Sequence, residues 1–261
     1  MNDVPVEGER RQRRYVPFRA LIPNAITLLA LCAGLTGVRY AIAERWDAAV
    51  LAVVVAAILD ALDGRVARLL KAQTRFGAEL DSLSDVIAFG VAPAVIIYLW
   101  ALDRLPGSLG WIVALAHTLA AALRLARFNA SLDAADGPRK AAGYLTGIPA
   151  PAGAGLLLFP VYGTLAIGAD ATPALTAPGP IALWTAVVAV LMISTVATAG
   201  WSVFRPRPAW RLAALLGFAL VGAALLAEPW WTLTIAGVAY ALSVPLAILG
   251  FARHRARPTK A

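Results

Sequence analysis

The chain has 261 residues, of which 60% are hydrophobic and 15% charged, with a formal net charge of +8 and a mean hydropathy of +0.73. This composition excludes a water-soluble globular domain and points to an integral membrane protein. The positive charge does not read as a nucleic-acid surface, because the basic residues flank apolar stretches, where they set topology and meet anionic lipid headgroups.

The N-terminal stretch MNDVPVEGERRQRRYVPFRA is basic but has no short apolar core followed by a small-residue cleavage site, so residues 1–20 are expected to be a retained cytoplasmic arm rather than a signal peptide. A membrane helix needs about 20 apolar residues. Eight stretches come near that length, at 22–43, 46–70, 78–102, 107–129, 146–168, 180–203, 209–227 and 230–251. Their joints carry helix breakers or interfacial aromatics: Pro23, Trp46, Pro106 with Gly107, Pro178-Gly179-Pro180, Pro206, Pro208, and Pro229 ahead of Trp230 and Trp231. Cys32 is the single cysteine; no intrachain disulfide is possible, and it reads as a small buried hydrophobe. His117, in the middle of an apolar stretch, reads as a packed residue bonded to a neighbouring helix rather than as a ligand.

Charge tests the count of spans. If the eight stretches alternate across a bilayer, all of the 23 Lys and Arg residues except Arg39, Arg45 and Arg104 fall on one side. The positive-inside rule makes that side cytoplasmic. Both termini are therefore expected in the cytoplasm, the spans even in number, and the fold an all-α, polytopic helix bundle with short loops and no separate soluble domain.

The second and third stretches contain DALDGRVARLLKAQTRFGAELDSLSD, residues 60–85. An Asp at the centre of a membrane helix costs about 2.5–3.5 kcal/mol on insertion scales, so four amount to something on the order of 10 kcal/mol, and less near the boundary. At about 100° per residue, Asp60, Asp63, Gly64 and Ala67 share one side of the second helix. Gly77, Asp81 and Asp85 share one side of the third. Small residues allow the two faces to approach. Four converging carboxylates repel one another unless cations lie between them, and an all-oxygen donor set favours Mg²⁺ or Mn²⁺, with Ca²⁺ also possible. Two ions about 3.5–4 Å apart suit in-line phosphoryl chemistry.

The spacing D-x2-D-G-x2-A-R-x8-G-x3-D-x3-D, met by Asp60, Asp63, Gly64, Ala67, Arg68, Gly77, Asp81 and Asp85, resembles the signature of the CDP-alcohol phosphatidyltransferases. These are membrane enzymes that transfer a phosphatidyl or phospho-alcohol group and release CMP. The resemblance implies that the four aspartates hold two metal ions and that Asp85 also deprotonates the acceptor hydroxyl. It assigns Gly64, Ala67, Arg68, Thr74 and Gly77 to the CDP-diacylglycerol site, together with Asn24 and Thr27 of the opening Pro23-Asn24-Ala25-Ile26-Thr27. For Asn24 a helix-capping role fits equally well. Arg68 offers a planar donor fork to phosphate, and Gly64 leaves room beside the metals.

LRLARFN, residues 123–129, and YLTGIPAPAGAG, residues 144–155, resemble elements of the bacterial and archaeal phosphatidylserine synthase branch. That branch implies L-serine as acceptor, a six-helix core over 21–203, two added helices over 204–251 and a basic tail over 252–261. Arg124, Arg127 and Asn129 then bind acceptor or phosphate, or else the arginines anchor the helix end at the membrane boundary. Glycerol 3-phosphate or an inositol phosphate remains an alternative acceptor, and an ion or solute transporter is the reading from a different class. Membrane lipids are the expected surroundings, a homodimer is expected by family analogy, and the Ala- and Arg-rich composition suggests a GC-rich bacterial genome; the site is expected in a bacterial inner membrane, facing the cytoplasm by the charge map.

Overall fold

The computed structural model describes residues 18–132, 144–171, 173–194, 197–199 and 211–255; of the arm expected at 1–20, residues 1–17 lie outside them and Phe18–Ala20 belong to the first helix, and the end of the basic tail also lies outside them. Helices α1 (Phe18–Ile42) and α2 (Trp46–Leu69) form an antiparallel pair. α3 (Arg75–Asp85) runs through a π-helical turn, Val86–Val91, into α4 (Ala92–Trp100). After a 3-10 turn, Leu102–Arg104, come α5 (Leu109–Leu132), strand β1 (Tyr144–Thr146), α6 (Ala150–Leu157) and α7 (Phe159–Ile167). The short α8 (Pro173–Thr176), α9 (Pro178–Ile193), strand β2 (Ala197–Ala199), α10 (Arg211–Ala227) and α11 (Pro229–Arg255) complete the described chain.

Among the described residues, four helical stretches, Arg19–Ile42, Arg75–Trp100, Leu109–Ala130 and Pro229–Ala247, are long and apolar enough to cross a membrane. α6 and α7, bent by 47°, make a fifth if taken together. α2 has the length, at 24 residues, but Asp47, Asp60, Asp63, Arg65 and Arg68 dilute its apolar character.

α1 and α2 approach closely because small residues line the contact. A Cβ on Gly37 would lie 3.1 Å from the Ala49 carbonyl oxygen, and one on Gly34 would lie 2.8 Å from the Ala88 Cα. The buried face of α1 therefore follows Ala30, Gly34, Gly37 and Ala41, and Cys32 falls on the exposed side. This corrects the expectation that Cys32 is buried. A helix apolar all round carries no periodicity from which its inner face could be read.

Three of the expected spans differ in detail. The stretch 78–102 is continuous helix from Arg75 to Trp100 but contains the π turn, in which the Ala92 N–H reaches back five residues to the Ile87 carbonyl. Pro93 cannot donate to the Phe89 carbonyl, and His117, fully buried on α5, places Nε2 3.4 Å from that oxygen. A carbonyl only accepts, so the proton sits on Nε2. His117 is thus the packed, cross-helix partner expected. The stretch 146–168 is broken at Leu158, because Pro160 lacks the N–H that would bond to the Leu156 carbonyl. Trp184 Nε1 donates to that carbonyl instead, at 2.6 Å, as a backbone group in an apolar medium requires. The stretch 180–203 ends at Ile193: Ser194 takes an extended conformation (φ −59°, ψ 155°), and β2 pairs antiparallel with β1, Tyr144 opposite Ala199 and Thr146 opposite Ala197. Apart from this three-residue ribbon the described chain is helical. Gly147, just after β1, has φ +73°, and a Cβ there would sit 2.9 Å from the carbonyl oxygens of Met192 and Ser194. Only glycine fits both conditions.

Candidate active site

The start of α1, the end of α2, the start of α3 and the ends of α5 and α9 meet at one end of the bundle. The sharp reversal between α2 and α3 is made by backbone bonds from Ala72 N to Ala67 O (2.9 Å) and from Lys71 N to Arg68 O (3.2 Å), with Lys71 at φ 49°. This paired closure around a left-handed residue terminates α2. α3 then starts on Thr74, whose hydroxyl oxygen accepts from the Gly77 N–H at 3.0 Å.

Both helices put their acidic faces inward at this reversal. Asp60, Asp63 and Asp81 each offer a carboxylate oxygen, and the three atoms lie within 4.8 Å of one another. Asp85, one turn along α3 from Asp81, is on the same face of that helix and within electrostatic reach of Asp60, Asp63 and Asp81. The four aspartates read from the sequence are therefore together.

α1 braces the cluster. The Thr27 hydroxyl lies 2.6 Å from Asp63 Oδ2 and 3.1 Å from the Pro23 carbonyl; it has one proton, and the shorter, charge-assisted bond to Asp63 is the stronger of the two. Ser84 on α3 donates to the Thr27 carbonyl at 3.2 Å, so α1, α2 and α3 are joined through Thr27. Thr27 thus meets an aspartate directly, where the resemblance had assigned it to the nucleotide. Ser84 was not singled out from the sequence at all; its spacing of three from Asp81 was the available signal.

The remaining expected residues are distributed as follows. Asn24 lies at the start of α3: a Cβ on Gly77 would come within 2.9 Å of Asn24 Oδ1 and 3.1 Å of Thr74 Oγ1. The Arg68 guanidinium lies over Gly64, its Nη1 3.6 Å from where a Cβ would stand, while Ala67 is half-buried. Asn129 pairs with Ser82, Nδ2 to Oγ at 2.9 Å, which ties the end of α5 to the residue beside Asp81. Arg127 is not with the cluster. Its Nη1 donates to the Ile193 carbonyl at 2.7 Å, at the C-terminal end of α9, where a cation is favoured by the helix dipole. Arg124, one turn earlier on α5, keeps its Nε enclosed and without a hydrogen-bond partner among the described residues, within electrostatic reach of Asp85.

Three carboxylates this close, with Asp85 one turn further along α3, supplied by rigid helices and braced by a hydroxyl donor, fit a hard divalent cation: the donors are all oxygen, and one of them has an outer partner of the kind that fixes a ligand's orientation. The cluster can therefore hold a metal.

Comparison with known proteins agrees with this geometry. Residues 20–249 match the family model described as CDP-alcohol phosphatidyltransferase. The chain is 36% identical over 242 residues to the CDP-diacylglycerol-serine O-phosphatidyltransferase of Mycobacterium tuberculosis, covering 92% of this chain and 82% of that protein. It is 36% identical over 238 residues to the protein of the same name from Mycobacterium leprae, covering 91% and 77%. The Helicobacter pylori protein of that name is 42% identical over 138 residues, covering 53% of this chain and 56% of the relative.

Proposed function

The chain belongs to the CDP-alcohol phosphatidyltransferase family, and on that premise we propose that it transfers the phosphatidyl group of CDP-diacylglycerol to the hydroxyl of L-serine, forming phosphatidylserine and CMP. The observation that carries the reading is the carboxylate cluster of Asp60, Asp63 and Asp81, with Asp85 one helical turn from Asp81 on the same face, in the register of the family signature.

The diacylglycerol chains lie among the lipids, and the CDP headgroup enters at the helix ends beside α1. Gly64 leaves space for the nucleotide, and the Arg68 guanidinium over it donates to phosphate oxygens. Asn24, Thr74 and Gly77 line the approach from α1 and α3. Asp60, Asp63, Asp81 and Asp85 would hold two divalent ions, Mg²⁺ or Mn²⁺, which when bound neutralise the pyrophosphate and stabilise charge in the transition state. Asp85 accepts the proton of the serine hydroxyl. The oxygen attacks the β-phosphorus, the bond to the bridging oxygen breaks, and CMP leaves with that oxygen.

The same reading sets the architecture. Eight spans place both termini and the active site on the cytoplasmic face of a bacterial inner membrane. Residues 21–203 form the catalytic core, 204–251 add two helices, and the 252–261 tail holds to anionic lipid. The test uses purified protein in mixed micelles with CDP-diacylglycerol and labelled L-serine, glycerol 3-phosphate or inositol phosphate, following CMP release and lipid product. Serine incorporation that disappears with chelator and returns with Mg²⁺ or Mn²⁺ is expected. CMP release with another alcohol and none with serine refutes the choice of acceptor.

A further inference from the structure

The π turn, Val86–Val91, is where α3 passes into α4, and Asp85 is the residue directly before it. Pro93 has no N–H to give to the Phe89 carbonyl, and in an apolar medium that oxygen has to find a donor elsewhere. α5 supplies donors from two adjacent side chains. His117 Nε2 donates to the Phe89 carbonyl at 3.4 Å. The Thr118 hydroxyl, which has one proton, lies 3.3 Å from the Gly90 carbonyl and 3.4 Å from that of Ala114 in its own helix. Contact is close at the same place: a Cβ on Gly90 would come within 2.9 Å of Ala121 Cβ, so a side chain there would push α5 off the turn.

The identity of residue 117 is informative. Its ring is fully buried, and the second nitrogen, Nδ1, has no hydrogen-bond partner among the described residues. An enclosed polar atom left unmatched is a cost that an apolar side chain of similar size would not carry. What the imidazole contributes is therefore the donor on the other side of the ring.

We propose that His117, with Thr118, is a positioning residue for the reaction: the two donors hold the π turn in its wide form and thereby fix the place of Asp85. The proposal rests on the metal-site reading above. Asp85 lies between two sets of ties. Before it, Asn129 of α5 donates to Ser82 at 2.9 Å, and Ser84 donates to the Thr27 carbonyl of α1 at 3.2 Å. After it, Ala88 sits against α1, its Cα 2.8 Å from where a Cβ on Gly34 would stand, and the Phe89 and Gly90 carbonyls are bonded to α5. The same two helices thus grip the chain on both sides of the carboxylate. A π turn is rare and persists where its surroundings favour it. Without the His117 donor the Phe89 carbonyl has to turn to a backbone N–H, which rewinds the segment and carries Asp85 with it.

The test is Mn²⁺ binding to the full-length protein in detergent, read by electron paramagnetic resonance without substrate, together with kcat and the KM for CDP-diacylglycerol at saturating Mn²⁺. His117→Gln keeps an N–H donor at the same distance along the side chain, and His117→Met has nearly the shape of glutamine with no donor. His117→Met is expected to weaken Mn²⁺ binding at least about tenfold and to lower kcat at least about 100-fold, as a displacement of about 1 Å can, with the KM for CDP-diacylglycerol within about twofold. His117→Gln is expected to bind Mn²⁺ within about threefold of the parent. Trp184→Phe also takes a side-chain donor from a carbonyl, that of Leu156, but on α6 and α9, neither of which supplies an aspartate; it should lose thermal stability and keep its Mn²⁺ affinity. Where His117→Met does not fold, Thr118→Val removes the neighbouring donor without touching the ring and should weaken Mn²⁺ binding about threefold. Parent-like Mn²⁺ binding in His117→Met, or in Thr118→Val where it takes its place, overturns the proposal. Equal losses in His117→Gln and His117→Met, or a comparable loss in Trp184→Phe, overturn it as well. A parent protein that binds no Mn²⁺ fails the metal-site reading itself and takes this inference with it.

Discussion

Replacing Thr27 with valine would remove one hydroxyl and almost nothing else, since the two side chains have nearly the same shape. Thr27 and Asp63 are 4% and 5% exposed, so water cannot readily take over the lost bond, and the 2.6 Å separation marks a charge-assisted contact. Such a bond contributes about 1.5–3 kcal/mol, which at about 1.4 kcal/mol per decade is roughly a 10- to 150-fold effect. Losing an outer partner of a metal ligand costs about 10- to 100-fold in metal affinity or activity, in agreement. The assay is Mn²⁺ binding to the detergent-solubilised protein, read by electron paramagnetic resonance without substrate, alongside the Mn²⁺ dependence of CMP release. Thr27→Val is expected to shift both curves to higher Mn²⁺ by that factor, and Thr27→Ser to shift neither by more than about threefold. A Thr27→Val protein that binds Mn²⁺ like the parent refutes the argument that this hydroxyl orients Asp63. Equal impairment of the serine and valine variants would instead assign the effect to the methyl group and its packing.

Asp85→Asn keeps the size of the proposed base and removes its basicity; CMP release should fall by at least about 100-fold, and activity retained within about tenfold would exclude Asp85 as the base. Trp184→Phe leaves the Leu156 carbonyl unmatched in an apolar setting, and a loss of about 1–3 kcal/mol should appear as a lower thermal midpoint in detergent with the serine KM unchanged. Arg127→Ala removes the bond to Ile193 at a helix end, so a stability loss of about 1 kcal/mol is expected with little change in serine KM; a large rise in that KM would return Arg127 to the acceptor site.

Much of the site was legible because its information is local. Asp60, Asp63, Asp81 and Asp85 are spaced three or four apart on two helices joined by a short turn, and helical phase alone puts each pair on one face. What escaped the sequence is long-range. Thr27 and Asp63 are 36 positions apart, and nothing in an all-apolar helix marks which side of α1 turns inward, which is also why Cys32 was misplaced. Tyr240 sits in an apolar stretch, and only the seating of α11 on α7 shows that its hydroxyl is enclosed. The break before Pro160 was written in the sequence as a proline, yet its compensation by Trp184 depends on a neighbour 28 residues away. The ribbon of β1 and β2 pairs segments more than 50 positions apart in three residues each, too short for an alternating pattern.

The wide turn from Val86 to Val91 governs more than the backbone. A π turn closes five residues back where an α turn closes four, so it holds one residue more than ordinary helix needs there. Everything before it is consequently rotated by about 100° relative to α4. Asp81 and Asp85 lie before the turn, and the residues that seat α4 in the bundle lie after it. The turn works as a phase shifter: the same residues wound as uninterrupted α-helix would swing both carboxylates about a quarter of a revolution away from α2, whereas deleting one residue within 86–91 would let the turn close as ordinary helix with Asp81 and Asp85 left where they are.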